Sequence, residues 1–118
     1  MTDAAGQSWQ RTFKGLPEQA RAARKWARAR VGPAPVEQDV EQVAGELFAA
    51  VLGSGPDVIT VTVSTAGDRV RLIATGPEEL PARHTHGPGR AVITGLSNLS
   101  GVTPDGRGLW AQLRAERP

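Results

Sequence analysis

His84 and His86 stand two residues apart, a spacing at which both imidazoles can reach one metal ion. A complete site needs further ligands, and the chain has no Cys, no third His and no acidic cluster nearby beyond Glu78 and Glu79. Two solvent-exposed loop histidines are the plainer reading, and no metal site is expected. Directly after them, Gly87-Pro88-Gly89-Arg90-Ala91 places glycines ahead of a helical run. Backbone N–H groups at such a turn, together with a helix N-terminus, can cradle phosphate, and Arg90 adds a cation. Pro88 has no N–H to offer, so a flexible lead into a helix explains the same residues. The serines Ser64, Ser97 and Ser100 are isolated and lack any motif that would activate a hydroxyl for nucleophilic attack.

The formal charge is only +2, but it is unevenly spread. Arg11, Lys14, Arg21, Arg24, Lys25, Arg28 and Arg30 crowd one stretch in which Glu18 is the only acid. Such a stretch attracts an acidic partner or nucleic acid. Base stacking has little to work with, since aromatic residues make up 4% of the chain and Tyr is absent. No nucleic-acid reading motif accompanies the basic residues, so nucleic acid is not the expected partner.

The 118 residues suit one domain with a single core. Without Cys there are no disulfides, thiolate metal sites or thiol nucleophiles. Residues Met1 to Gln10 are short, polar and lack the apolar run of a signal peptide, and no stretch approaches the length of a membrane span. A cytoplasmic protein is expected, with residues 1–8 a flexible N-terminus and residues 9–115 the domain.

The elements that must position these groups follow from periodicity. Trp9 to Phe13 alternates large apolar and polar residues, which reads as a short edge strand. Pro17 suits the first turn of a helix running to about Val31, with Ala20, Ala23, Ala27, Val31 and Trp26 on one arc and Arg21, Arg24, Lys25 and Arg28 opposite. Gly32-Pro33-Ala34-Pro35 ends it. A second helix starts near Pro35 or Val36 and runs to about Leu52, with Val36, Val40, Val43, Leu47 and Ala50 at three- and four-residue steps. Val58 to Val63 and Val70 to Ala74 are alternating β-branched runs joined by Ala66-Gly67-Asp68, a hairpin whose buried face carries Ile59, Val61 and Val63. Gly76 to Gly89 has no periodicity and predicts a long exposed loop. Helical spacing returns from Arg90 to Leu99, and Asp105-Gly106 signals a turn before a strand at Leu109 to Leu113. The packing this order predicts is α+β: a two-layer sandwich with helices on one face of a mixed, mostly antiparallel sheet.

That order, with its local motifs, resembles the ATPase domain shared by gyrase, MutL-type repair proteins and histidine kinases, the Bergerat-type ATPase fold. It is most similar to small bacterial anti-sigma-factor serine kinases. The likeness runs from Trp9 to Leu113 and rests on five features. They are Phe13-x-Gly15-x-Pro17-Glu18-x-x-x-x-Ala23-Arg24, the Glu46-Leu47 helix, the hairpin, the loop bounded by glycines, and Gly106-Arg107-Gly108-Leu109-Trp110-Ala111-Gln112-Leu113.

The resemblance implies a nucleotide pocket at Glu46, Ala50, Ala74, Gly76, Gly89 and Arg90, and three of its motifs are altered. Such domains carry Glu-Leu-x-x-Asn, where the Glu serves as general base and the Asn ligates Mg²⁺; here Glu46 is kept and Ala50 replaces the Asn. A following Asp-x-Gly-x-Gly, whose carboxylate accepts the adenine amino proton, aligns with Ala74-Thr75-Gly76-Pro77-Glu78, so that only Gly76 survives. Loss of one such acceptor costs about 1–3 kcal/mol. The glycine-rich phosphate turn has Ala91 where a further glycine is usual. Glu46 is therefore a vestigial base, and a solvated or capping role at the edge of an apolar helix is its plainer reading.

Two functions follow from the resemblance. The first is a degenerate, non-catalytic regulator that binds a sigma factor or an anti-anti-sigma-like protein and needs no cofactor, with Trp26, the basic stripe and the segment around Trp110 as candidate contacts and a homodimer as a further partner. The alternative is an active ATP-dependent serine/threonine kinase of the anti-sigma type. It binds ATP and Mg²⁺ weakly, with water or another side chain standing in for the missing amide.

Overall fold

A computed structural model describes residues 6–31, 36–85 and 89–114. The elements are β1 (Gln7–Lys14), α1 (Gln19–Val31), α2 (Glu37–Leu52), β2 (Val58–Ala66) and β3 (Arg69–Thr75). They are followed by α3 (Ala82–Thr85), α4 (Gly89–Leu96), β4 (Leu99–Val102) and β5 (Gly108–Arg114). The fold is α+β: a five-stranded sheet in the order β1-β2-β3-β5-β4 with helices packed on one face.

The described sheet is antiparallel throughout, which corrects the expected mixed sheet. Its topology explains why. The crossover through α3 and α4 returns the chain parallel to β3 but one strand further out, and β5 fills the gap, pairing antiparallel with both β3 and β4. Both hairpin turns use a glycine in the left-handed region, Gly67 at φ +60° and Gly106 at φ +73°, a conformation that a Cβ disfavours.

Alternation sorts the strands into two faces. Phe13, Ile59, Val61, Val63, Val70, Leu72, Ala74, Leu109, Ala111 and Leu113 are buried against the helices. On α2, Val40, Val43, Leu47 and Val51 recur along one stripe, joined by Phe48, and all are buried. Glu37 and Asp39 occupy its first turn, where carboxylates complement the helix dipole. Ala23 and Ala27 of α1 are fully buried and let the two helices approach. The aromatic centre is Phe13, edge-on to Trp26 at 6.1 Å and to Phe48 at 6.2 Å. These contacts place Trp26 in the packing between α1 and β1.

Three boundaries differ from the sequence reading. β1 starts at Gln7 and pairs Gln7 with Thr65 and Ser8 with Ser64, so strand structure reaches into the segment expected to be flexible; Met1 to Ala5 lie outside the described residues. α4 ends at Leu96 and Leu99 opens β4, because the Asn98 N–H donates to the Gln112 carbonyl at 2.9 Å and cross-strand pairing outweighs helical spacing. The expected exposed loop is partly folded: α3 forms one turn within it, Leu80 and Thr85 are buried, and the Leu80 N–H donates to the Gly106 carbonyl at 2.8 Å.

Candidate functional site

The basic stripe of α1 divides on contact with α2. Gly45 leaves room for the Arg24 stem, whose Cδ lies 2.7 Å from where a Cβ would sit. Arg28 forks between Glu37 at 3.0 Å and Glu41 at 3.1 Å, tying α1 to the first half of α2. The two carboxylates raise the Arg28 pKa further above its ordinary value, first through the Glu37 hydrogen bond. Arg24 and Arg28 thus serve the fold, while Arg21 and Lys25 remain exposed.

The second half of α2 forms one wall of an open cavity of about 280 Å³. Glu46, Ala49 and Ala50 face it from α2, Arg83 and His84 from α3, and Gly89 and Arg90 from the start of α4. One helical turn separates Glu46 from Ala50, which puts both on the same face. The cavity lies just under the range of about 300–1,000 Å³ that encloses most small molecules.

Four of the six residues expected at a nucleotide pocket, Glu46, Ala50, Gly89 and Arg90, therefore converge. Ala74 and Gly76 do not line this cavity. Ala74 is buried on the helix-facing side of β3, where a methyl packs well and a carboxylate would need a buried partner. Gly76 serves close packing: a Cβ there would meet Val51 Cγ1 at 3.2 Å, and its N–H donates to the Arg107 carbonyl at 3.0 Å. Glu78 is exposed at a separate small cleft with Glu79 and Pro56.

Nothing in the sequence singles out Arg83, and for His84 it offers a metal ligand or, more plainly, a solvent-exposed loop residue. The signal for both was Pro81, a helix-start residue within an otherwise aperiodic loop. The turn that follows carries His84 to the end of α2, where its Nδ1 lies 2.9 Å from a Cβ built on Gly53. His86 and the Gly87-Pro88 pair lie outside the described residues. Among the described residues, no three His, Cys, Asp or Glu side chains are grouped to hold a metal.

The cavity carries one acid and two guanidinium groups, and Glu46 forms no ion pair with either arginine among the described residues. Arg90 Nη1 is buried with no hydrogen-bond partner among them. At position 50 the wall presents a methyl group. The site can hold an anion near Arg83 and Arg90, but Ala50 supplies no ligand for a cation.

Trp110 lies on the other side of the sheet. Its register partner on β3 is Ile73, its indole packs on Gly101 of β4, and the Arg71 guanidinium stacks 4.4 Å from the ring centroid. No helix among the described residues is long and apolar enough to cross a membrane. Compared with family models and with curated proteins, the chain matches none.

Proposed function

We propose that this domain is a degenerate member of the histidine-kinase-like ATPase group, of the anti-sigma serine kinase type. In this reading it regulates by binding another protein, a sigma factor or an anti-anti-sigma-like partner, without turning over nucleotide. The observation that carries the reading is the methyl group of Ala50 on the same cavity wall as Glu46. A metal ligand is missing where the chemistry of such sites requires one. The order of elements and the single helical layer over the sheet support the group assignment. The burial of Ala74 supports the loss of base recognition, since its position lies in apolar core.

The test is calorimetric titration with ATP and Mg²⁺. No saturation is expected below about millimolar nucleotide, the weak end of the affinity scale. Ala50→Asn alone is expected to leave that result unchanged, because Ala74 and Ala91 still depart from the pattern. Micromolar affinity in the unaltered protein would overturn the reading.

An active kinase is the second reading, favoured by the convergence of Glu46 with Arg83 and Arg90 in one cavity. Glu46 would take the proton of an attacking hydroxyl and the arginines would hold phosphate. Transfer of label from γ-labelled ATP to a candidate partner, abolished by Glu46→Gln, would establish it.

A further inference from the structure

Among the described residues, helices cover one face of the sheet and none covers the other. Side chains on that face come from Ser8, Gln10, Thr12 and Lys14 on β1, alternate residues of β2, and Arg69, Arg71, Ile73 and Thr75 on β3. Trp110, Gln112 and Arg114 of β5 complete its centre. The strands contribute Lys14, Arg69, Arg71 and Arg114 to this face and no carboxylate; Asp68, in the β2–β3 turn, is the acid beside it.

Three of these cations crowd the end of the sheet at the β2–β3 turn. Arg69 stands directly opposite Arg114 across β3 and β5, a like-charge cross-strand pair that destabilises a sheet unless something compensates it. Asp68 takes Arg114 at 3.4 Å, and no carboxylate among the described residues reaches Arg69 or Arg71. Arg71 is held in place by stacking on Trp110, so its fork is already ordered. Beside these arginines lies an open depression of about 510 Å³ lined also by Ser8, Ser64 and Gln112.

The geometry points to this face as a docking surface for an acidic polypeptide segment, with its carboxylates received by Arg69 and Arg71. The inference rests on the reading of the domain as a protein-binding module and names the chemistry of the partner. Guanidinium groups suit carboxylates through paired hydrogen bonds. The Ser8 and Ser64 hydroxyls bond each other at 3.0 Å, which leaves one O–H and further lone pairs between them, and with the Gln112 amide these can meet a peptide backbone. Single-stranded nucleic acid fits less well. Trp110 is the one aromatic side chain on this face among the described residues, and the Arg71 guanidinium already stacks on its ring, which leaves no run of aromatic platforms for successive bases.

The experiment is fluorescence anisotropy of a fluorescein-labelled polyglutamate peptide with the full chain at low ionic strength. Saturable binding that weakens with salt is expected, and Arg69→Gln with Arg71→Gln should weaken it by about tenfold or more. Arg21→Gln with Lys25→Gln, on the exposed side of α1, should leave it within about twofold. Asp68→Asn, which removes the neighbouring acid, should tighten it. Absence of saturable binding, equal loss in the α1 variant, or no tightening in Asp68→Asn would overturn the inference. So would tighter binding of a labelled oligothymidylate of matched charge. Tight binding of Mg²⁺ and ATP would overturn the non-catalytic reading and leave the peptide result standing, so the two failures are distinguishable.

Discussion

The carboxylate of Glu46 lies against the backbone of Gly89, so close that a Cβ built on Gly89 would sit 2.5 Å from Oε1. Gly89 is the first residue of α4, where the helix dipole favours a negative charge. The one acid in the cavity therefore has a structural reason to be there, independent of proton transfer. Gly89→Ala should cost less than about 1 kcal/mol, because the obstacle is the mobile end of a side chain that can rotate away. Adding Glu46→Ala should remove the steric part of that cost. Gly108→Ala should behave differently: its Cβ would meet the Ala74 carbonyl and, at 2.8 Å, Thr75 Cα, so β3 and β5 would have to separate. A loss above about 3 kcal/mol is expected there. Denaturant melts of the variants compare them directly.

Phe48 is fully buried and meets Phe13 edge-on at 6.2 Å. Phe48→Ala should cost about 3–5 kcal/mol, from lost burial and the cavity left behind. Since domains of this size hold about 5–15 kcal/mol in total, most of the stability would go. Phe48→Leu should retain the larger part. Urea midpoints at constant slope would report both.

Asp105 accepts hydrogen bonds from Thr103 Oγ1 at 2.7 Å and from the Arg107 N–H at 3.0 Å. These contacts, the Thr103 bond first, hold its carboxyl below the usual carboxylate value. A lowered native pKa stabilises the fold above the ordinary unfolded value, about 3.9, and that contribution disappears as pH falls through the lower native one. Asp105→Asn should therefore flatten the acid limb of the stability curve below about pH 4 and leave its shape near neutrality unchanged. Thermal melts across the acid range would show it, and parallel curves for variant and parent would refute it.

Arg28 joins two helices through two carboxylates, whereas Arg21 has no such contact among the described residues. Arg28→Gln should lower the melting midpoint at low salt, and the gap should narrow at high salt because the pairs are partly exposed. Arg21→Gln should leave the midpoint where it is. Equal effects from the two substitutions would mean that the α1–α2 fork does not contribute.

One wall of the candidate site is legible along a single helix. Glu46 and Ala50 share a face because their spacing matches the helical repeat, and no tertiary information is needed to see it. Gly89 and Arg90 followed from glycine placed before a helical run. Arg83 and His84 were hidden because they reach the cavity only through one turn of helix in an aperiodic segment, and that turn depends on the burial of Leu80 and Thr85. The motif alignment groups Ala74 and Gly76 with the pocket, whereas in the structure Ala74 is buried in the core and Gly76 packs against Val51 and Pro56.

The sequence by itself determined the elements whose periodicity is strong: the apolar stripe of α2, the alternating strands β2 and β3, and the turns at Gly67 and Gly106. In these, local spacing and backbone preference agree with the final packing. Tertiary structure decided the rest. It drew Leu99 into an edge strand, enlisted Arg24 and Arg28 to join two helices, and placed Trp110 beside Arg71 on the open face. Each outcome depends on partners far away in the chain. Strand pairing and helix contact outweigh local spacing when a few backbone hydrogen bonds or one charged fork can be satisfied only across the fold.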